Sequence, residues 1–131
     1  MSKENVDLIL ESFKRFEAGE LSDDTWDEAA LMTAPDGWPE QGPFEGRAAI
    51  MRRFQRLAED WSAHRVTDVD VISDARDWVV VGWRWHTRGS QSGVETTAEV
   101  SAAFRLKDER VIEAHYRWNA DEALEAAGLR E

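Results

Sequence analysis

Apolar residues recur with helical spacing at the start of the chain and with two-residue spacing after position 64. Val6, Ile9, Leu10, Phe13 and Phe16 share one helical face, which predicts an amphipathic helix over 4–18 ended by Gly19. Ser22 is placed to cap a second, short helix through Asp23 and Asp24, with Trp26, Ala29 and Ala30 turned inward. The following TAPDGWPEQGPFEG carries three prolines and three glycines and must be irregular. Its Trp38 and Phe44 are too apolar for a linker and should anchor it over a core. Ile50, Phe54, Leu57 and Trp61 then make one stripe, predicting a helix over 47–61 with Arg52, Arg53, Arg56 and Glu59 mostly on other faces.

Beyond it the pattern predicts strands over 64–72, 77–88, 94–106 and 110–118. Asp74 to Asp77 and KDER at 107–110 supply tight turns, and GSQSG joins the two central strands as a hairpin. Asn119 caps a last helix with Glu122 at the capping-box position, and Gly128 followed by Leu129 ends it. The third strand has one apolar row, Val94, Ala98, Val100, Ala102, Phe104 and Leu106; the fourth has Ile112, Ala114, Tyr116 and Trp118. Strand 77–88 resists orientation, because Val79 to Val81 are apolar on both faces. Within it Arg84 and His86 share one face, and Trp83 and Trp85 share the other.

Helices followed by long antiparallel strands predict an α+β fold, with helices packed on one face of the sheet. At 131 residues the chain reads as one domain, 1–131. It has no cysteine, so disulfides, thiolate zinc sites and thiol nucleophiles drop out, and a cytoplasmic setting fits. No apolar run approaches membrane-spanning length and no signal-peptide pattern opens the chain, so no membrane role is expected. The formal charge of −11 is concentrated in residues 1–45, with twelve acidic and three basic side chains. That sign argues against nucleic acid as a partner.

Three stretches carry a family likeness: GWPEQGPFEGRAAIMRRFQRLAEDW, RGSQSGVET and DEALEAAGL. In that order and spacing the chain resembles the SnoaL-like branch of the nuclear transport factor 2-like superfamily. The resemblance implies a cone-shaped fold, with N-terminal helices packed on a strongly curved, mostly antiparallel sheet. The superfamily includes polyketide cyclases, ketosteroid isomerases, scytalone dehydratase and limonene-epoxide hydrolases, beside many domains without chemistry. The epoxide hydrolases carry Arg-x-Asp on the corresponding strand and a second Asp on the last, all pointing into the cone. Those positions fall here on Arg84, His86 and Tyr116, so both carboxylates are missing and epoxide hydrolysis is disfavoured. The likeness implies that Arg84 and His86 face inward, with Trp83 and Trp85 outward.

On that orientation His86 becomes the candidate proton shuttle, since an imidazole titrates near neutrality. Arg84 and Tyr116 become candidate stabilisers of a substrate oxygen. A satisfied polar network is the competing structural reading of the same residues. His115 is expected on the outer face, and the three histidines lack metal-ligand spacing, so no metal is expected. Trp26, Trp38, Phe54, Trp61, Trp78 and Trp118 are the expected lining of a pocket for a small hydrophobic molecule. Outward Trp83 and Trp85 would form an apolar patch and favour a homodimer through the outer sheet face. Two functions stay open: a cofactor-free acid/base enzyme (isomerase, cyclase or dehydratase) on a cyclic or polyketide-like substrate, or a non-catalytic ligand-binding or dimeric accessory protein.

Overall fold

The computed structural model describes residues 2–18, 20, 23–37, 42–89 and 92–129. Helix α1 (Ser2–Glu17) leads through a 3-10 turn at Asp23–Thr25 into strand β1 (Trp26–Thr33), then the short β2 (Phe44–Glu45) and helix α2 (Arg47–Asp60). Four long strands follow: β3 (Trp61–Ser73), β4 (Trp78–Gly89), β5 (Glu95–Lys107) and β6 (Arg110–Arg117), then helix α3 (Ala120–Ala126). They form one six-stranded sheet in the order β2-β1-β6-β5-β4-β3, antiparallel except where β1 runs parallel to β6. This is an α+β fold, with α1, α2 and α3 packed around one mixed sheet.

Local chemistry accounts for most of these elements. The Asp108–Glu109 turn joins β5 and β6 with positive φ at both residues (52° and 64°), the two-residue geometry whose twist matches flanking strands. The Asn119 side chain accepts from the Glu122 backbone N–H at 2.9 Å, capping α3. At the other end Gly128 adopts φ 71°, and the Leu129 and Gly128 N–H groups donate to Leu124 and Glu125 carbonyls. That is a Schellman motif, and it needs a residue tolerant of positive φ.

One expected element is different. The short helix predicted around Trp26 to Ala30 is strand β1, which pairs with β6 on one side and β2 on the other. Its burial alternates loosely, with Trp26, Ala30 and Met32 inside, and a register irregularity between Trp26 and Leu31 hides the two-residue period. Asp27 and Glu28 favour a helix start locally, but pairing with a strand from the far end of the chain outweighs that preference.

The two sheet faces are packed by different helices. On the inner face, α1 and α2 cover a core that includes Ile9, Ile50, Val66, Val81, Val100, Ala102, Phe104 and Ala114. Glu17, closing α1, accepts the Val66 backbone N–H at 2.9 Å and ties that helix to β3. On the outer face, α3 sets Ala123 and Ala127 against Val80 and Ala103, with Trp78 and Ile72 alongside. This second packing layer explains why Val79 to Val81 are apolar in both directions. Arg53 of α2, expected mostly off the buried stripe, is 1% exposed and lies 6.0 Å from the Phe44 ring centre. Among the described residues, no helix is long and apolar enough to cross a membrane.

Candidate ligand-binding site

The inner face of the sheet does not fill completely. Beneath α1 and α2 lies a cavity of about 80 Å³. Eight of its lining residues are aromatic: Phe13 and Phe16 from α1, Trp26 from β1, Phe54 from α2, Trp83 and Trp85 from β4, Phe104 from β5 and Tyr116 from β6. Met32, Met51, Val66 and Val111 add aliphatic wall, and Ser12, Thr25, Glu20 and Tyr116 bring the side-chain oxygens.

Strand register builds this wall. Trp83 stands opposite Val100 and Trp85 opposite Ala98, while Tyr116 stands opposite Ala102, so their side chains share the inner face. The rings then meet edge to face or tilted. Phe13 and Trp83 have centroids 4.7 Å apart, Trp83 and Tyr116 lie 5.9 Å apart at 90°, and Phe104 and Tyr116 lie 5.8 Å apart. Phe16 bridges Phe54 at 6.1 Å and Trp85 at 6.3 Å. Such arrangements favour ring edges against ring faces and hold the wall in fixed geometry.

Tyr116 is the cavity's defined polar handle. Burial alone pushes its phenol well above the ordinary value of 10.0, so it stays protonated across the physiological range. A neutral phenol in an apolar wall donates a hydrogen bond; it does not act as a base. Glu20 is exposed and adds a carboxylate to the same lining.

Arg84 and His86 are elsewhere. The inward placement implied by the epoxide-hydrolase register is overturned: both project from the outer face, and Trp83 and Trp85 occupy the inner one. Arg84 stands opposite Glu99 and reaches it at 3.4 Å, with Asp68 at 3.7 Å. The His86 ring lies between two threonines, its Nε2 2.7 Å from Thr67 Oγ1 and its Nδ1 3.0 Å from Thr97 Oγ1. Tyr116, paired through β5 to the opposite face, does not converge with them. The physical cause is the hairpin: its loop pairs Arg88 with Glu95, which puts odd-numbered residues of β4 beside even-numbered residues of β5.

The expected pocket lining divides in the same way. Trp26 and Phe54 do line the cavity. Trp78 does not: it stands opposite Arg105 on the outer face and packs with the α3 cluster, 6.0 Å from the His115 ring. Trp118 follows the end of β6, is 39% exposed, and donates its indole N–H to the Asp36 carbonyl at 2.7 Å. Trp38 and the side chain of Trp61 lie outside the described residues. With Trp83 and Trp85 inside, the apolar patch expected to pair two outer faces is missing. His115 is on the outer face as expected, within a chain of contacts. Arg105 joins Asp77 at 2.8 Å and Glu113 at 3.0 Å; Glu113 meets His115 at 3.1 Å, and His115 meets Thr33 at 2.8 Å.

The cavity residues that sequence reasoning missed are Phe13 and Phe16 as lining rather than filler, and above all Trp83 and Trp85. A usable signal existed. Arg88 with Glu95 and Arg84 with Glu99 become opposite-charge partners only in the register that turns both tryptophans inward.

An α+β sheet covered by helices, with an aromatic cavity on its inner face, defines a broad class. The sequence matches the model of the SnoaL-like domain over residues 11–114, and the chain belongs to that family. Among solved structures it is similar to a nuclear transport factor 2-like protein of unknown function from Burkholderia pseudomallei. That pair shares 16% identity over 93% of this chain and 95% of the other, with a TM-score of 0.79. It is similar to a proposed polyketide cyclase from Xanthomonas campestris at 16% identity over 92% and 93% of the two chains, TM-score 0.76. It is also similar to TerC, co-crystallised with polyporic acid, at 17% identity over 93% and 98%, TM-score 0.74. No curated protein matches this sequence.

Proposed function

We propose that this SnoaL-like domain binds a small, ring-bearing, largely apolar molecule in the cavity between α1, α2 and the inner sheet face. The single observation that carries this reading is the cavity wall, with eight aromatic residues and, among the described residues, only Glu20 and Tyr116 ionisable. A flat ligand gains from contact with ring faces and edges on several sides. Tyr116 orients it by donating one hydrogen bond to a carbonyl or hydroxyl oxygen. TerC, of the same fold, was co-crystallised with a small molecule, polyporic acid.

Binding is favoured over acid/base catalysis by the position of the histidine. A proton shuttle must reach the reacting atom within hydrogen-bonding distance or through one water. His86 and Arg84 lie across the sheet from the cavity, already engaged with Thr67, Thr97, Asp68 and Glu99. The absence of cysteine supports a cytoplasmic setting, and the reading requires no cofactor.

Titration of tryptophan fluorescence with aromatic ketones such as acetophenone tests the proposal. The wild type should bind, Tyr116→Phe should weaken binding roughly tenfold by removing the donor, and His86→Gln should leave it unchanged. Failure of a broad set of ring compounds to bind would overturn the reading. So would turnover of a cyclic substrate that His86→Gln abolishes, because it would return the site to the outer face.

A further inference from the structure

Acidic side chains outnumber basic ones in the cavity lining and the groove beside it. Among the described residues, no arginine, lysine or histidine lines the cavity, and Glu20 is its acidic side chain. Beside it runs an open groove between α1 and the β5–β6 turn, and Ser12 and Thr25 line both spaces. The groove carries Glu4, Asp7, Glu11, Asp24, Asp108 and Glu109 against Arg15 and Arg110. Arg15 is engaged within this set, 3.9 Å from Glu11 and 3.3 Å from Asp24, so the excess of carboxylates stays unbalanced. The face therefore repels anions and raises the local concentration of cations.

Resting on the reading that the cavity is the binding site, we propose that its ligand is a compact organic cation, a ring-bearing quaternary ammonium held against the aromatic wall with Glu20 and the acidic groove beside it. Ring faces are negative and their edges positive, so each ring face that a cation reaches adds electrostatic attraction to the contact that any apolar ligand would gain. Trp83, Trp85 and Trp26 supply the indoles, the strongest of the aromatic partners for such a charge. A quaternary ammonium has no N–H to satisfy, so an apolar wall leaves none of its donors unpaired. A carboxylate-bearing ligand would meet the opposite situation, with no cation among the described lining residues and an excess of carboxylates in the groove.

An isosteric pair isolates the charge: (3-hydroxyphenyl)trimethylammonium and 3-tert-butylphenol share ring, hydroxyl and shape, and differ in a single positive charge. Titrated into the wild-type protein at low ionic strength and followed by calorimetry, the ammonium should bind roughly tenfold more tightly. Part of that advantage should disappear at about 0.5 M salt, where the field of the groove is screened. Glu20→Gln, at an exposed position, should weaken the ammonium a few-fold more than it weakens the neutral phenol. Equal or tighter binding of 3-tert-butylphenol would overturn the cation while leaving the cavity as a binding site. Binding of neither compound, with no response to acetophenone, would overturn both.

Discussion

The two faces of the same β-sheet have been built for different purposes, and the strand that separates them shows how. On the inner side of β4, Val79, Val81, Trp83 and Trp85 meet apolar partners and leave a cavity walled by rings. On the outer side, Arg84 and His86 meet Asp68, Glu99, Thr67 and Thr97 in a surface lattice of ion pairs and hydrogen bonds. Arg84 and His86 therefore lie on the face opposite this cavity, and among the described residues its lining carries no histidine or arginine. Polar side chains on a strand are thus weak pointers to a site until their face is known. The outer groups have partners of their own, and satisfied polar networks are common structural devices.

Substitutions that act on one face at a time can break this contrast. The largest effect is expected from Trp83→Ala, which removes a side chain that is 7% exposed and packed on Phe13 and Tyr116. It should cost about 3–5 kcal/mol in urea unfolding. Asn119→Ala should cost about 1 kcal/mol by uncapping α3, the helix that covers the outer face. Glu113→Gln should cost roughly 1 kcal/mol at neutral pH, because it breaks contacts with Arg105 and His115. Burial raises the Glu113 carboxyl's value, but hydrogen bonds from Arg105 and His115 prevail and hold it below its ordinary 4.5; the bond from Arg105 likewise holds Asp77 below 3.8. Carboxyls lowered in the folded state contribute stability that is present above the unfolded values and lost as pH falls through the folded ones. Wild-type unfolding midpoints should therefore drop below about pH 4.5, and Glu113→Gln should show a shallower drop over the same range. The smallest effect is expected from His86→Gln, within about 1 kcal/mol in stability because the ring is only half-buried on the outer face. A loss as large as that of Trp83→Ala would show that the two faces are not so different.

Where sequence pattern was strong, the fold was legible. The stripe of α1, the stripe of α2 and the rows of β5 and β6 lie within a few residues of the periodicity that predicts them. The caps of α3 are readable from Asn119 and Gly128 themselves. What stayed hidden depends on contacts between distant segments. Strand β1 forms through parallel pairing with β6, some eighty residues on, which no local preference of Trp26 to Ala30 reveals. Orientation of β4 turns on one residue of hairpin register, and the valine run masks it because α3 covers the outer side at Val80. Trp78 shares that cause. Tyr116 and Phe54 line the cavity, and each stands on an apolar stripe in the sequence, Tyr116 with Ala114 and Phe54 with Ile50.

The most direct test is the side of the sheet on which a bound ring compound is felt. In NMR spectra of the protein saturated with acetophenone, the indole signals of Trp83 and Trp85 and the ring signals of Tyr116 should shift most. The imidazole of His86 and the guanidinium of Arg84 should stay in place. Largest shifts at His86 and Arg84, with unmoved Trp83 and Trp85, would contradict the account and put the ligand on the outer face.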